Sequence, residues 1–154
     1  MFKSFLKFAG IMVIAQMVTY FIAGVIAQQV LGANQFYPPS PNAITYLRDP
    51  HDPGLQIWIF PAQALRGLLF ALILFPFRKQ IVEFGIMRGG LIVAGFVFIA
   101  GYVAASGGMI EHFVYFKAAD YPAKFALITF IEILIQVAIM GPWTVAWMKK
   151  AGVE

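Results

Sequence analysis

Residues 122–148 read PAKFALITFIEILIQVAIMGPWTVAWM, an apolar run interrupted by only two charged side chains, Lys124 and Glu132. A helix of about 20 residues crosses a hydrocarbon core about 30 Å thick, so this run is long enough to span a membrane. Its apolar residues are continuous and do not alternate with polar ones, which favours a helix over a strand of a barrel. The stretch therefore predicts an integral membrane helix.

Three earlier stretches have the same character, at about residues 5–29, 56–77 and 89–110. Together with residues 122–148 they predict an all-α integral membrane fold, a four-transmembrane-helix bundle that forms a single domain over residues 1–154. The composition agrees, because 61% of the residues are hydrophobic and only 12% are charged, against about 25% charged in ordinary soluble domains. The lipid bilayer is thus the first expected partner.

Charge and cysteine content exclude several classes of protein. The chain has no cysteine, which excludes a disulfide-stapled secreted module and thiolate metal sites. The net charge of +4 is divided among small basic groups that flank the apolar runs, so there is no basic face for nucleic acid. Phosphate-binding loops and nucleophile elbows are missing from the sequence, and we expect neither a catalytic residue set nor a cofactor.

The distribution of basic residues predicts the orientation of the bundle. If the four runs alternate in direction, seven cations lie on one side, namely Lys3, Lys7, Arg78, Lys79, Arg88, Lys149 and Lys150. The other side has three cations, which are accompanied by acidic residues. Because cytoplasmic segments carry an excess of lysine and arginine, we expect both termini in the cytoplasm of a cell-membrane protein.

The longest segment between the runs, at about residues 30–55, is rich in proline. The fixed φ angles at Pro38, Pro39 and Pro41 prevent a long helix, which predicts an extracytoplasmic loop between the first and second helices. Apolar residues within the loop favour an ordered cap over the outer helix ends. A passive linker stiffened by proline is the alternative interpretation.

Two opposite charges occupy matching positions inside the runs. Arg66 lies about ten residues into the second helix and Glu132 about ten into the fourth, and both helices run in the same direction. At about 1.5 Å per residue, both side chains lie near the middle of the hydrocarbon core. A charge there costs about 2.5–3.5 kcal/mol on insertion scales, so we expect the two to form an ion pair inside the bundle.

Three glutamines extend this predicted polar centre. Gln63 shares a helix face with Arg66, and Gln136 lies one turn beyond Glu132. Gln16 lies near the midplane of the first helix.

The centre has two interpretations. Either it binds a ligand or an ion, with Arg66 attracting an anionic or carbonyl group and Glu132 supplying a counter-charge or a proton, or it is an internally satisfied contact between helices.

The third run is rich in small residues, with Ala100, Ala104 and Gly108 at four-residue spacing. Such a stripe lets helices approach closely in lipid. The predicted contact lies either inside the bundle or between subunits, in a homo-oligomer or a larger membrane complex.

Three polar residues are candidates for a site at the outer face. Glu111 and His112 follow the third run, and His51 in the loop is predicted on the same side of the membrane. Two histidines and a carboxylate can bind a metal ion. No metal-binding spacing of the H-E-x-x-H kind is present, however, and we expect no metal.

These features predict a multi-pass membrane protein and leave three classes of function open. The first is a small-molecule or ion binding or permeation module built around Arg66 and Glu132, favoured because polar groups on three helices lie at one depth. The second is a non-catalytic accessory subunit of a larger membrane complex. The third is a membrane enzyme that uses Glu111, His112 or Glu132 as acid or base on a lipid-soluble substrate.

Overall fold

Helices dominate the part of the chain that the structure describes. The computed structural model describes residues 2–45, 47–104 and 122–153, and within these ranges it contains no strand. The α-helices found there are α1 (Phe2–Gln29), α2 (Pro53–Leu74), α3 (Arg78–Glu83), α4 (Gly85–Phe98) and α5 (Ala123–Ala151). Short 3₁₀ turns form at Ala33–Phe36 and Phe75–Phe77, and a π-helical turn at Ile99–Val103 extends α4.

Four described segments are long and apolar enough to cross a membrane, namely Phe2–Gln29, Pro53–Glu83, Gly85–Val103 and Ala123–Ala151. The prediction of an all-helical fold with four membrane-length helices is therefore confirmed. The second segment is longer than predicted, because the 3₁₀ turn at Pro76 leads directly into α3, which buries Ile81. The predicted end of the third helix, at residues 105–110, lies outside the described residues.

The order of the helices in space is α2, α1, α5, α4. Helix α1 packs along both α2 and α5, and α5 packs along α4. Helices α2 and α4 meet at Phe70, whose ring centroid lies 5.7 Å from that of Phe96 in an edge-on arrangement. Because α1 lies between α2 and α5 in this order, polar side chains of those two helices are linked through side chains of α1.

Glycines mark close crossings between helices. A Cβ atom added at Gly67 of α2 would lie 2.7 Å from the Cα of Val13 in α1, and one at Gly90 of α4 would lie 2.8 Å from the nitrogen of Pro142 in α5. These crossings leave no room for a side chain, so part of the small-residue pattern of the third run serves packing inside the bundle. The later part of the stripe, beyond residue 104, lies outside the described residues.

The proline-rich loop packs onto the ends of α1 and α5. Phe36 and Ile44 are buried, and the Phe36 ring centroid lies 5.2 Å from that of Phe125 in α5. The amide of Ile44 donates a hydrogen bond of 2.9 Å to the carbonyl of Phe36. Lys124 donates another, of 3.2 Å, to the side-chain oxygen of Gln35. The described part of the loop is therefore attached to the bundle by apolar and polar contacts.

Candidate ligand-binding cavity

A chain of three glutamines joins α2, α1 and α5. The side-chain nitrogen of Gln16 donates to the side-chain oxygen of Gln63 at 2.9 Å, and the side-chain nitrogen of Gln136 donates to the oxygen of Gln16 at 3.1 Å. All three side chains are buried, with 1%, 7% and 4% of their residue surface exposed for Gln16, Gln63 and Gln136. The structure thus brings together three of the residues that the sequence places at one depth. We call this chain the glutamine triad.

Tyr20 lies one helical turn beyond Gln16 on α1. It is half-buried, and the charges of both Glu132 and Arg66 act on its hydroxyl group. Its neighbour Thr19 is fully buried and donates a hydrogen bond of 2.7 Å to the carbonyl of Ala15, so its hydroxyl is satisfied within α1. Beyond the level of Gln16 on α1, Tyr20 is among the residues that line the cavity described next.

A cavity of about 380 Å³ lies on the loop side of the glutamine triad. Its walls come from α1 between Tyr20 and Gln28, from the loop at Tyr37 and His51, from α2 at Ile59 and Phe60, and from α5 at Glu132. The volume falls within the range of about 300–1,000 Å³ that is usual for small-molecule sites. Aromatic contacts connect the walls, because the Phe21 ring centroid of α1 lies 4.9 Å from that of Phe60 in α2.

Glu132 is the acidic residue that lines this cavity. It lies one turn before Gln136 on α5, and a Cβ atom added at Gly24 of α1 would be 3.7 Å from its Oε1. Its side chain is half-buried, and no described residue makes a hydrogen bond or an ion pair with its carboxylate. Gly24 also lines the cavity and adds no side chain between α1 and this carboxylate.

Arg66 does not join Glu132 in a direct ion pair. The one ion pair among the described residues links Arg48 to Asp52 at 2.7 Å, at the loop end of α2. The side chain of Arg66 is exposed on α2, whereas Glu132 lies on α5 next to α1. Equal depth along two helices does not make them neighbours, and here α1 packs against both. The expected Arg66–Glu132 contact is therefore replaced by the glutamine triad as the direct polar link through the bundle.

The rim of the cavity is shaped by a short turn before α2. The amide of His51 donates a hydrogen bond of 2.8 Å to Oδ1 of Asp49. Asp52 caps α2 by accepting a hydrogen bond of 2.8 Å from the Gly54 amide, and its other oxygen accepts one from Arg48. The Gly54 amide, followed by the Arg48 guanidinium, holds the pKa of Asp52 below its ordinary value of 3.8. These bonds position His51 at the cavity.

The outer-face candidates have different outcomes. His51 lines the cavity that contains Glu132. Glu111 and His112 lie outside the described residues, so their relation to the cavity stays a prediction. Within the described ranges, no group of three or more histidine, aspartate or glutamate side chains is arranged to hold a metal ion.

Sequence reasoning missed the aromatic walls and the role of Gly24. A signal for Gly24 exists, because Gln16, Tyr20 and Gly24 follow one another at four-residue spacing and so share one face of α1. Tyr37 carried no such signal, since its place depends on how the loop folds back. Comparison with known proteins finds no matching family, no similar curated protein and no similar solved structure.

Proposed function

We propose that this protein is a multi-pass protein of the cell membrane that binds a small molecule or an ion in the Glu132 cavity, as a binding or permeation module. The observation that carries this proposal is the carboxylate of Glu132, which lines a cavity within membrane-length helices and has no bonding partner among the described residues. Ionisable residues inside membrane helices are costly and are by default candidates for functional sites.

The contrast with the glutamine triad supports a functional over a structural role for Glu132. A structural contact satisfies its polar groups inside the protein, as the triad does for the helices that it joins. Glu132 lies one turn away on the same face as Gln136 and takes no part in that network. With no partner among the described residues, its carboxylate can bind a group that enters the cavity.

The proposed orientation places both termini in the cytoplasm and the cavity on the opposite side. It is supported by the excess of lysine and arginine at the ends and in the connection after α2. The cavity then opens toward the extracytoplasmic side, where the loop forms its rim. Association with further subunits through the third helix is a separate proposal, and part of the small-residue pattern of that helix packs within the bundle.

A labelling experiment tests whether the cavity is accessible to a solute. Because the chain has no cysteine, Gly24→Cys provides a single thiol in the cavity. Gly10→Cys provides a matched control on the same helix, where an added side chain meets nothing within 4 Å. We expect an uncharged hydrophilic methanethiosulfonate, added from the extracytoplasmic side of intact cells, to modify residue 24 and not residue 10. Lack of reaction at residue 24 would refute an accessible binding cavity.

A further inference from the structure

We infer that the cavity selects an organic cation with an aromatic or apolar body, such as an arylalkyl ammonium ion. The inference rests on the proposed function, and it names the class of ligand for the same site. It follows from the combination of one carboxylate with aromatic walls in a space of about 380 Å³.

The cavity carries negative charge at its end near the glutamine triad. Glu132 lines the cavity, and no lysine or arginine is among the described residues that do so. The charge of Arg66 acts on Tyr20, but Arg66 is exposed on α2 and is not among the residues that line the space. A carboxylate that lines a cavity attracts a cation and repels an anion, and the attraction grows as water is excluded.

The walls suit the apolar part of such a cation. Tyr20, Phe21, Tyr37 and Phe60 all contribute to the lining. Aromatic faces attract organic ammonium groups, and the attraction is strongest where water is excluded. The contacts of Phe21 with Tyr20 at 5.8 Å and with Phe60 at 4.9 Å hold three of these rings together. The site therefore has a charged end at Glu132 and an apolar wall beside it.

This arrangement predicts how the ligand is oriented in the cavity. The ammonium group donates hydrogen bonds to the carboxylate oxygens of Glu132, which are acceptors when ionised. The body of the ligand then extends along α1 toward Tyr37 and the rim at His51. Gly24 has no side chain, which leaves space for the ligand next to Oε1 of Glu132.

Three probes of similar shape and different charge test the inference. They are 2-phenylethylammonium, uncharged 2-phenylethanol and anionic phenylacetate, titrated into the full chain in detergent and followed by calorimetry. We expect the ammonium ion to bind saturably, at least about tenfold more tightly than the alcohol, and the anion to bind most weakly. Gly24→Leu places a bulky side chain beside Oε1 of Glu132, so it should block binding next to the carboxylate and supply the baseline for partition into micelles. Gly10→Leu is its matched control.

The variant Glu132→Gln separates charge from shape. We expect it to weaken binding of the ammonium ion by about tenfold or more and to leave binding of the alcohol unchanged. Equal binding of alcohol and ammonium ion to the unaltered chain, or a cation preference that survives Glu132→Gln, would overturn the inference on ligand class. In either case, if Gly24→Leu abolishes binding, the proposal of a binding cavity would still be supported. If none of the probes binds, the inference fails, whereas the cavity is judged by the labelling of residue 24.

Discussion

The glutamine triad and the Glu132 cavity are adjacent levels of the same helices, and they treat polar groups in opposite ways. At the level of Gln16 the helices pack closely, and buried amides are linked by hydrogen bonds across α1. One to two turns toward the loop, Gly24 leaves space and the carboxylate of Glu132 has no partner among the described residues. The difference supports a stabilising role for the triad and, as we propose, a ligand-binding role for the carboxylate in the cavity.

The largest effect is expected from adding one methyl group at the close-packed level. Gly67→Ala places its Cβ 2.7 Å from the Cα of Val13, so α1 and α2 have to separate. We expect the free energy of unfolding to fall by about 1–3 kcal/mol, as is usual for overpacking. Gly24→Ala is the matched change in the cavity, where the nearest atom is 3.7 Å away, and it should be nearly neutral. Unfolding in mixed detergent micelles measures both, and equal losses would contradict the contrast in packing.

The triad itself is tested by replacing its central member. Gln16→Met keeps the length of the side chain but leaves Gln63 and Gln136 without their shared partner. Buried polar groups that lose a partner cost about 1–3 kcal/mol each, and hydrogen bonds in membrane bundles average about 0.6 kcal/mol, so we expect a loss of about 1–2 kcal/mol.

The triple replacement Gln16→Met, Gln63→Met and Gln136→Met is the control for that experiment. It removes all three polar side chains at once and leaves none stranded, so stability should return close to that of the unaltered chain. Additive losses in the triple variant, measured by the same unfolding titration, would show that the triad does not act as a unit.

Glu132→Gln should have a much smaller effect on stability than Gln16→Met. The replacement removes a charge from a membrane helix and breaks no hydrogen bond or ion pair with a described residue. We therefore expect the free energy of unfolding, measured without added ligand, to stay the same or to rise slightly. A loss as large as that of Gln16→Met would assign Glu132 a structural role and remove the basis of the contrast.

The smallest effect is expected at the rim, where Asp52 caps α2. Since the folded state holds the pKa of Asp52 below 3.8, folding favours its ionised form. The contribution is present above that ordinary pKa and is lost as the pH falls through the lower pKa of the folded state. Asp52→Asn retains an acceptor for the Gly54 amide, whereas Asp52→Ala does not. We expect the thermal unfolding temperature of Asp52→Asn to lack this acid-dependent loss. An identical pH profile for Asp52→Asn and the unaltered chain would contradict the prediction.

Parts of the candidate site were within reach of the sequence because they depend on position along a single helix. Gln16, Gln63 and Gln136 lie at comparable depth in their runs, and depth follows from a rise of about 1.5 Å per residue. The pairing of Arg66 with Glu132 was expected on the same basis, yet depth says nothing about which helices touch. Tyr37 and His51 reach the cavity through the path of the loop, which no periodic pattern encodes.

What the sequence by itself determined is the class of fold, because four apolar runs of membrane length require helices whose backbone groups bond internally. The neighbours of each helix were decided only by tertiary packing, in which Gly67 and Gly90 allow close crossings. That packing puts α1 beside both α2 and α5, buries the glutamines together and leaves Glu132 at a void. The physical reason is that spanning a bilayer depends on the composition of each segment alone, whereas a cavity depends on shapes that meet from several segments.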